Sequence, residues 1–140
     1  MSNNYILVIN DDKEFTKSIV NFLEKEGFSI ILAENEHIAF KHIERKKPDL
    51  ILLDIQKPAE KGLEVCRILK GHPYTSDIPV IVFSVNTSLN NMMSGYLAGA
   101  NRYLGRPFDF GELGECVRNF VRQNDERYSA TINATGNIGY

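Results

Sequence analysis

The sequence lacks most of the features that mark a specialised class of protein. It contains no tryptophan and only two cysteines, and its 16 Lys and Arg residues against 18 Asp and Glu residues give a formal net charge of −2. Without a basic surface, binding to a nucleic-acid backbone has no electrostatic support, so we expect no direct contact with nucleic acid. No apolar run approaches the roughly 20 residues that cross a bilayer, so we expect no membrane anchor.

The cysteines and the first residues bear on the compartment. Cys66 and Cys116 lie in amphipathic patterns and form no Cys-x-x-Cys pair, so we expect two reduced thiols in the core. The residues that follow Met1 are polar and carry no apolar signal region, so we expect a cytoplasmic protein.

At 140 residues the chain is long enough for one domain that buries roughly two thirds of its unfolded surface.

Short apolar runs alternate with amphipathic segments along the chain. The runs that we expect to form strands are residues 5–9, 29–33, 50–53, 80–83 and 103–104. The first, third and fourth runs are continuous rather than alternating, which is typical of parallel strands covered on both faces. The first four amphipathic segments end at Gly27, Pro48, Gly71 and Gly99, which are residues that stop helices. This order predicts an α/β fold of five strand–helix units, with helices on both faces of a parallel sheet.

The apolar periodicity fades near Arg122. We therefore assign residues 1–122 to a single domain and residues 123–140 to a polar C-terminal tail or linker. The second segment mixes Asn, Asp, Ser, Thr and Gly with isolated apolar residues. A docked helix or strand remains the alternative for this segment.

Polar residues follow the expected strands at one edge of the sheet. Ligands of an open parallel sheet bind beyond the carboxyl ends of its strands. The residues at those ends are Asn10, Asp11, Asp12, Asp54, Ser84 and Arg106. We expect Asp12 to cap the first helix. Two carboxylates about 4 Å apart repel by roughly 4 kcal/mol at an effective dielectric constant near 20, so Asp11 and Asp54 together favour a hard cation such as Mg²⁺.

In this order and spacing the residues resemble the receiver domains of two-component response regulators, the CheY-like superfamily. The resemblance covers residues 5–121 and rests on the acidic cluster after "ILVI", on "DLILLDIQKP", on "IPVIVFS" and on "GANRYLGRPF". Ser84 follows Asp54 by 84 − 54 = 30 residues. The resemblance implies a doubly wound, flavodoxin-like fold whose five parallel strands are ordered 2-1-3-4-5.

The resemblance also implies roles for individual residues. Asp54 would be the phosphoacceptor, Ser84 would hydrogen bond a phosphoryl oxygen, and Tyr103 matches the aromatic switch of the family. The implied Mg²⁺ ligands are Asp11, Asp54 and the backbone carbonyl of Gln56, with Asn10 as a weak or outer ligand. A sensor histidine kinase or a phosphotransfer protein would donate the phosphoryl group. The readout would be a change in the face formed by the fourth helix, fifth strand and fifth helix, which is also the face expected to hold a homodimer together.

Two residues depart from the pattern of the family. Asn10 stands where the family usually has the first of two acids, which predicts weaker Mg²⁺ binding because one carboxylate is missing. Arg106 stands at the usual lysine position before Pro107, and its planar guanidinium is larger than an ammonium group. These departures leave two functions open. The first is a phosphorylated signalling switch with no external substrate, and the second is a non-phosphorylated pseudo-receiver that acts as a protein–protein binding module.

An enzyme on the same topology has less support from the sequence. A flavin site would need a phosphate-binding loop after the first strand, where this chain has the acidic residues Asp11 and Asp12. A phosphohydrolase with an aspartyl nucleophile would usually carry a second carboxylate at the position of Gln56. We therefore expect a signalling receiver rather than an enzyme, and the sequence does not specify its downstream effector.

Overall fold

The computed structural model describes residues 5–56 and 59–135. Five strands alternate with five helices, and the strands form one parallel sheet in the order β2-β1-β3-β4-β5. This arrangement confirms the predicted flavodoxin-like α/β fold. The elements are β1 (Tyr5–Ile9), α1 (Lys13–Lys25), β2 (Ser29–Ala33), α2 (Glu36–Arg45), β3 (Leu50–Asp54), α3 (Ala59–Gly71), β4 (Val80–Ser84), α4 (Leu89–Leu97), β5 (Arg102–Gly105) and α5 (Phe110–Thr135).

The sheet separates two hydrophobic cores. Alternate residues of β1, β3 and β4 pack on one side against α1 and α5, and on the other side against α2, α3 and α4. The three central strands are therefore buried on both faces, which explains why their sequences are continuous apolar runs. Each fully buried Val, Leu, Ile or Phe side chain contributes about 1.5–3 kcal/mol, so these strands form a rigid support for the residues that follow them.

The ends of α1 and α4 agree with the stop and start signals in the sequence. The Asp12 carboxylate accepts a hydrogen bond from the backbone N–H of Phe15 at 3.2 Å, so the predicted cap of the first helix is confirmed. Gly27 and Gly99, which follow α1 and α4, have φ angles of +98° and +109°. Glycine adopts this region without strain, so both helices end at the residues that the sequence indicated.

The last helix is longer than the apolar pattern predicts. The pattern of buried residues ends near Val121, but α5 continues to Thr135. The segment that the sequence analysis assigns to a tail or linker therefore begins inside a helix, and residues 136–140 lie outside the described residues. Residues 123–135 contain neither Gly nor Pro, so no residue in them interrupts the helix.

None of the helices in the described part of the chain combines the length and apolarity that a bilayer crossing requires.

We expect both thiols to be inert in the folded protein. Cys66 and Cys116 are free and buried, and burial raises the pKa of each thiol, so the reactive thiolate is scarce. Dithionitrobenzoate at mildly alkaline pH should therefore label neither cysteine within minutes, and should label both after unfolding in guanidinium chloride. Rapid labelling of either thiol in the native protein would contradict this burial.

Candidate functional site

Polar side chains gather at the carboxyl edge of the sheet. Asp54 and Ser84 are the last residues of β3 and β4, and Asn10 and Arg106 directly follow β1 and β5. The strands are parallel and in register, with Ile9 opposite Leu53 and Ser84 opposite Gly105. The strand ends therefore lie side by side, as the sequence analysis predicted.

Asp54 is a buried carboxylate with two donors. Its side chain is only 1% exposed. Its Oδ1 and Oδ2 atoms lie 3.2 and 3.3 Å from Nη1 of Arg106, and Oδ2 accepts a hydrogen bond from Nε2 of Gln56 at 2.7 Å. Burial raises the pKa of Asp54, although the hydrogen bond from Gln56 and the positive charge of Arg106 act in the opposite direction. A charged Asp54 therefore depends on these two neighbours.

The guanidinium of Arg106 makes three contacts. Nη1 bonds to Asp54, Nη2 lies 3.4 Å from Oδ2 of Asp12, and Cζ lies 3.5 Å from the centre of the Phe15 ring. The Arg106 side chain is 19% exposed, and its peptide bond to Pro107 is cis. The sequence analysis placed Arg106 at this edge but gave no indication of the contact with Phe15. It predicted Asp12 as a helix cap, and the structure adds the ion pair.

A pocket of about 270 Å³ opens beside Asp54. Asn10, Asp11 and Gln56 line it, together with Lys61 of α3, which the sequence analysis did not identify. Asn10 is buried, and its Oδ1 accepts hydrogen bonds from the Asp12 backbone N–H at 2.9 Å and from Nε2 of Gln56 at 3.4 Å. Asp11 is exposed. The residues predicted to bind Mg²⁺ therefore share one pocket, with Asp11 on its exposed side.

The oxygen donors of this pocket fit a hard divalent cation. Four acidic residues line it, Asp11, Glu34, Glu36 and Asp54, of which Asp11 and Asp54 lie at or just beyond the ends of the central strands β1 and β3, and the backbone carbonyl of Gln56 adds a neutral oxygen. Within residues 5–56 and 59–135, no group of three His, Cys, Asp or Glu side chains is arranged to hold a metal ion. Mg²⁺ is often bound through one or two carboxylates and several waters, so Asp11, Asp54 and the Gln56 carbonyl are a sufficient donor set for it. The Nδ2 atom of Asn10 is buried without a hydrogen-bond partner among the described residues, so no protein group satisfies this amide nitrogen.

Ser84 and Tyr103 line a second, smaller pocket of about 60 Å³, which shares Gln56 with the first. The Ser84 hydroxyl accepts a hydrogen bond from the backbone N–H of Asn86 at 3.1 Å, and the Tyr103 hydroxyl donates to the Asn86 carbonyl at 2.7 Å. A Cβ atom on Gly95 would lie 2.7 Å from the Tyr103 ring, so glycine at that position leaves room for the ring. Ser84 and Tyr103 are thus linked through Asn86, and neither contributes a hydrogen bond to Asp54.

Comparison with known proteins identifies a family. A family model described as "Response regulator receiver domain" matches residues 6–118. The response regulator MprA of Mycobacterium tuberculosis is 36% identical over 118 residues, which are 84% of this chain and 50% of that protein. The chain thus spans about half the length of the curated relatives it matches.

Solved structures agree with this match. A response regulator from Thermotoga maritima is 28% identical with a TM-score of 0.78, and the match covers 85% of this chain and 98% of that one. The BeF3-activated N-terminal receiver domain of RstA from Klebsiella pneumoniae is 28% identical with a TM-score of 0.76, over 85% of this chain and 99% of that one.

We expect replacement of Asp54 to stabilise the protein at neutral pH. Burial raises the pKa of Asp54 above its ordinary value of 3.8, despite the attraction of Arg106. The protonated carboxyl group therefore contributes its full stabilisation below pH 3.8, and this stabilisation is lost as the pH rises through the higher pKa of the folded state. Asp54→Asn should raise the melting temperature at neutral pH in the presence of EDTA, and the gain should shrink as the pH approaches 4.

Thermal unfolding followed by circular dichroism measures this difference. Glu44→Gln is the matched control, because Glu44 is an exposed carboxylate on α2 and its replacement should change the melting temperature little at either pH. An Asp54→Asn variant that melts below the wild type at neutral pH, or that gains equally at both pH values, would show that the charged carboxylate is not disfavoured by burial.

Proposed function

Because this chain belongs to the response regulator receiver domain family, we propose that it is a switch that accepts a phosphoryl group from a histidine kinase, or from a phosphotransfer protein, onto Asp54. The family consists of signalling modules of two-component systems rather than conventional enzymes. The observation that carries the proposal is the position of Asp54, a buried carboxylate at the end of a central strand, beside a pocket and in contact with a fixed cation.

The chemistry follows from the groups around Asp54. A carboxylate oxygen attacks the phosphorus atom, and the new P–O bond forms as the P–N bond to the imidazole of the kinase breaks. The electron pair of that bond leaves with the imidazole nitrogen, and Asp54 becomes an acyl phosphate. Nη1 of Arg106 lies beside both carboxylate oxygens, so its charge offsets that of the incoming phosphoryl oxygens. A phosphoryl group on Oδ2 displaces the amide of Gln56, which bonds to that atom in the unmodified protein.

The receiver family typically binds a divalent metal. In this chain the carboxylates of Asp11 and Asp54 and the backbone carbonyl of Gln56 would hold Mg²⁺, which when bound neutralises charge on the phosphoryl oxygens. Asn10 would act as a weak or outer ligand, because its amide oxygen already accepts two hydrogen bonds. We therefore propose that this chain binds the ion less tightly than a receiver with two acids after the first strand.

We propose that the change at Asp54 is read on the face formed by α4, β5 and α5. In this proposal Ser84 turns to donate a hydrogen bond to a phosphoryl oxygen, which alters its contact with Asn86. Since Asn86 also accepts the hydrogen bond from Tyr103, the movement reaches the aromatic residue of β5. The α4 helix exposes apolar side chains on this face, among them Leu89, Met93 and Leu97, which are 72%, 51% and 84% exposed, and we expect homodimers to form through them. The downstream effector is not specified by these residues.

The second candidate is a pseudo-receiver that binds partner proteins without phosphorylation. Two observations favour it. Asn10 removes one acidic metal ligand, and the Arg106 guanidinium pairs with both Asp54 and Asp12, so Asp54 has a counter-charge without a metal ion. In this function the same site would be a structural ion pair, and the α4, β5 and α5 face would be a constant binding surface.

Phosphorylation with a small donor separates the two functions. With Mg²⁺ and acetyl phosphate, the wild type should gain a single phosphoryl group that peptide mapping assigns to Asp54, and Asp54→Ala should gain none. Asp77→Asn is the control, because Asp77 is an exposed aspartate outside the pocket and its replacement should leave labelling unchanged. Absence of labelling by acetyl phosphate and by a panel of histidine kinases would establish the pseudo-receiver, and labelling at another residue would contradict both functions.

We expect Asn10→Asp to tighten Mg²⁺ binding. The change adds a carboxylate one position beyond Ile9, whose partner in the register is Leu53, so the new charge lies beside Asp54. We expect the affinity for Mg²⁺ to rise by about tenfold, which corresponds to about 1.4 kcal/mol of binding free energy and can be measured by isothermal titration calorimetry. Asn35→Asp is the matched control, since Asn35 lines the same pocket but follows the edge strand β2. Equal affinity gains in the two variants would mean that only the general charge of the pocket matters.

A further inference from the structure

We propose that Phe15 is a positioning residue for phosphorylation, because its ring holds the guanidinium of Arg106 beside Asp54. This inference rests on the proposed function and adds a residue to it. The Cζ atom of Arg106 lies 3.5 Å from the centre of the Phe15 ring, which is the separation of two groups in direct contact. The attraction between a cation and an aromatic face is largest where water is excluded, and the Arg106 side chain is only 19% exposed.

The Phe15 ring is itself fixed from several directions. It meets the buried Phe83 ring edge to face, with centroids 5.9 Å apart and planes at 88°, and it meets Phe108 at 5.8 Å and 75°. The backbone N–H of Phe15 is bonded to the carboxylate of Asp12 in the first turn of α1. The ring therefore presents a stable face to Arg106, because both its backbone and its edges are held.

The three contacts of Arg106 together require the shape of a guanidinium. Nη1 bonds to Asp54, Nη2 approaches Asp12, and the flat face lies on Phe15. An ammonium group is attracted to an aromatic ring but has no flat face that stacks on it, and its three N–H donors leave from a single atom rather than from a spaced fork. The three contacts therefore suit arginine, although lysine is usual in the family, and the stack on Phe15 is the contact that a lysine loses.

A second phenylalanine of α1 gives a control for general packing. Phe22 is also partly buried, and it stacks on Phe110 with centroids 5.1 Å apart and planes at 12°. It belongs to the same side of the sheet as Phe15 but lies about two turns further along α1, away from Arg106. Phe22→Leu therefore removes a ring of similar burial without removing the contact with the guanidinium.

The test is a double-mutant cycle on the initial rate of phosphorylation by acetyl phosphate with Mg²⁺. Phe15→Leu should lower the rate by about tenfold, the factor that ~1.4 kcal/mol of lost transition-state stabilisation produces. Phe15→Tyr keeps an aromatic face and should stay within about twofold of the wild type, as should Phe22→Leu. In an Arg106→Lys background, which is slower from the start, Phe15→Leu should change the rate by less than about twofold, because the lysine makes no stack.

Three results would each overturn the proposal. The first is an equal loss of phosphorylation rate in Phe15→Leu and Phe15→Tyr. The second is the same effect of Phe15→Leu in the arginine and lysine backgrounds, and the third is a loss of rate in Phe22→Leu as large as that in Phe15→Leu. Melting temperatures measured in parallel separate loss of rate from loss of folding.

A second measurement keeps this inference separate from the proposed function. The side-chain N–H signal of Arg106 in NMR spectra of the unphosphorylated protein should carry a ring-current shift that Phe15→Leu abolishes and Phe22→Leu retains. A wild type that accepts no phosphoryl group would overturn the proposed function. In that case the NMR signal still tests whether the Phe15 ring contacts the Arg106 guanidinium. An Arg106 signal that is unchanged in Phe15→Leu would overturn the inference even in a phosphorylated protein.

Discussion

The burial of a negative charge at Asp54 is the constraint on which the rest of the site depends. A carboxylate that is almost wholly removed from water is costly unless hydrogen bonds and an opposite charge replace the lost solvent. Gln56 supplies one of these from the adjoining loop, but the cation comes from Arg106, 52 residues further along the chain. The parallel sheet, with its order β2-β1-β3-β4-β5, brings these strand ends to one edge. The fold therefore brings together the groups that offset the free-energy cost of burying an ionised Asp54.

Asp12 connects this charge to the helices. One of its oxygens caps the first turn of α1 and the other approaches Arg106, so a single carboxylate joins the start of α1 to the loop after β5. The two residues are separated by 94 positions in the sequence. Beneath them, the Phe15 ring links the same guanidinium to the aromatic side chains of the core. The site and the core on the α1 and α5 side are consequently one packed unit.

The sequence predicted the sheet and the edge of the site well, because both follow from strong local signals. The central strands are covered on both faces, so their apolar runs define strand bounds to within a residue. The amide contact of Gln56 with Asp54 and the stack of Phe15 on Arg106 were not predicted, because they depend on side-chain rotamers that no spacing rule specifies. The length of α5 was also underestimated, since apolar periodicity reports where a helix is packed and not where it ends.

The stack of Arg106 on Phe15 couples two positions that lie 91 residues (106 − 15) apart in the sequence. Because the ring and the guanidinium are in direct contact, the effect of replacing one of them depends on which residue stands at the other. We therefore expect positions 15 and 106 to vary together among related chains rather than independently. A local stacking contact would in this way make two distant positions of the sequence a single unit of variation.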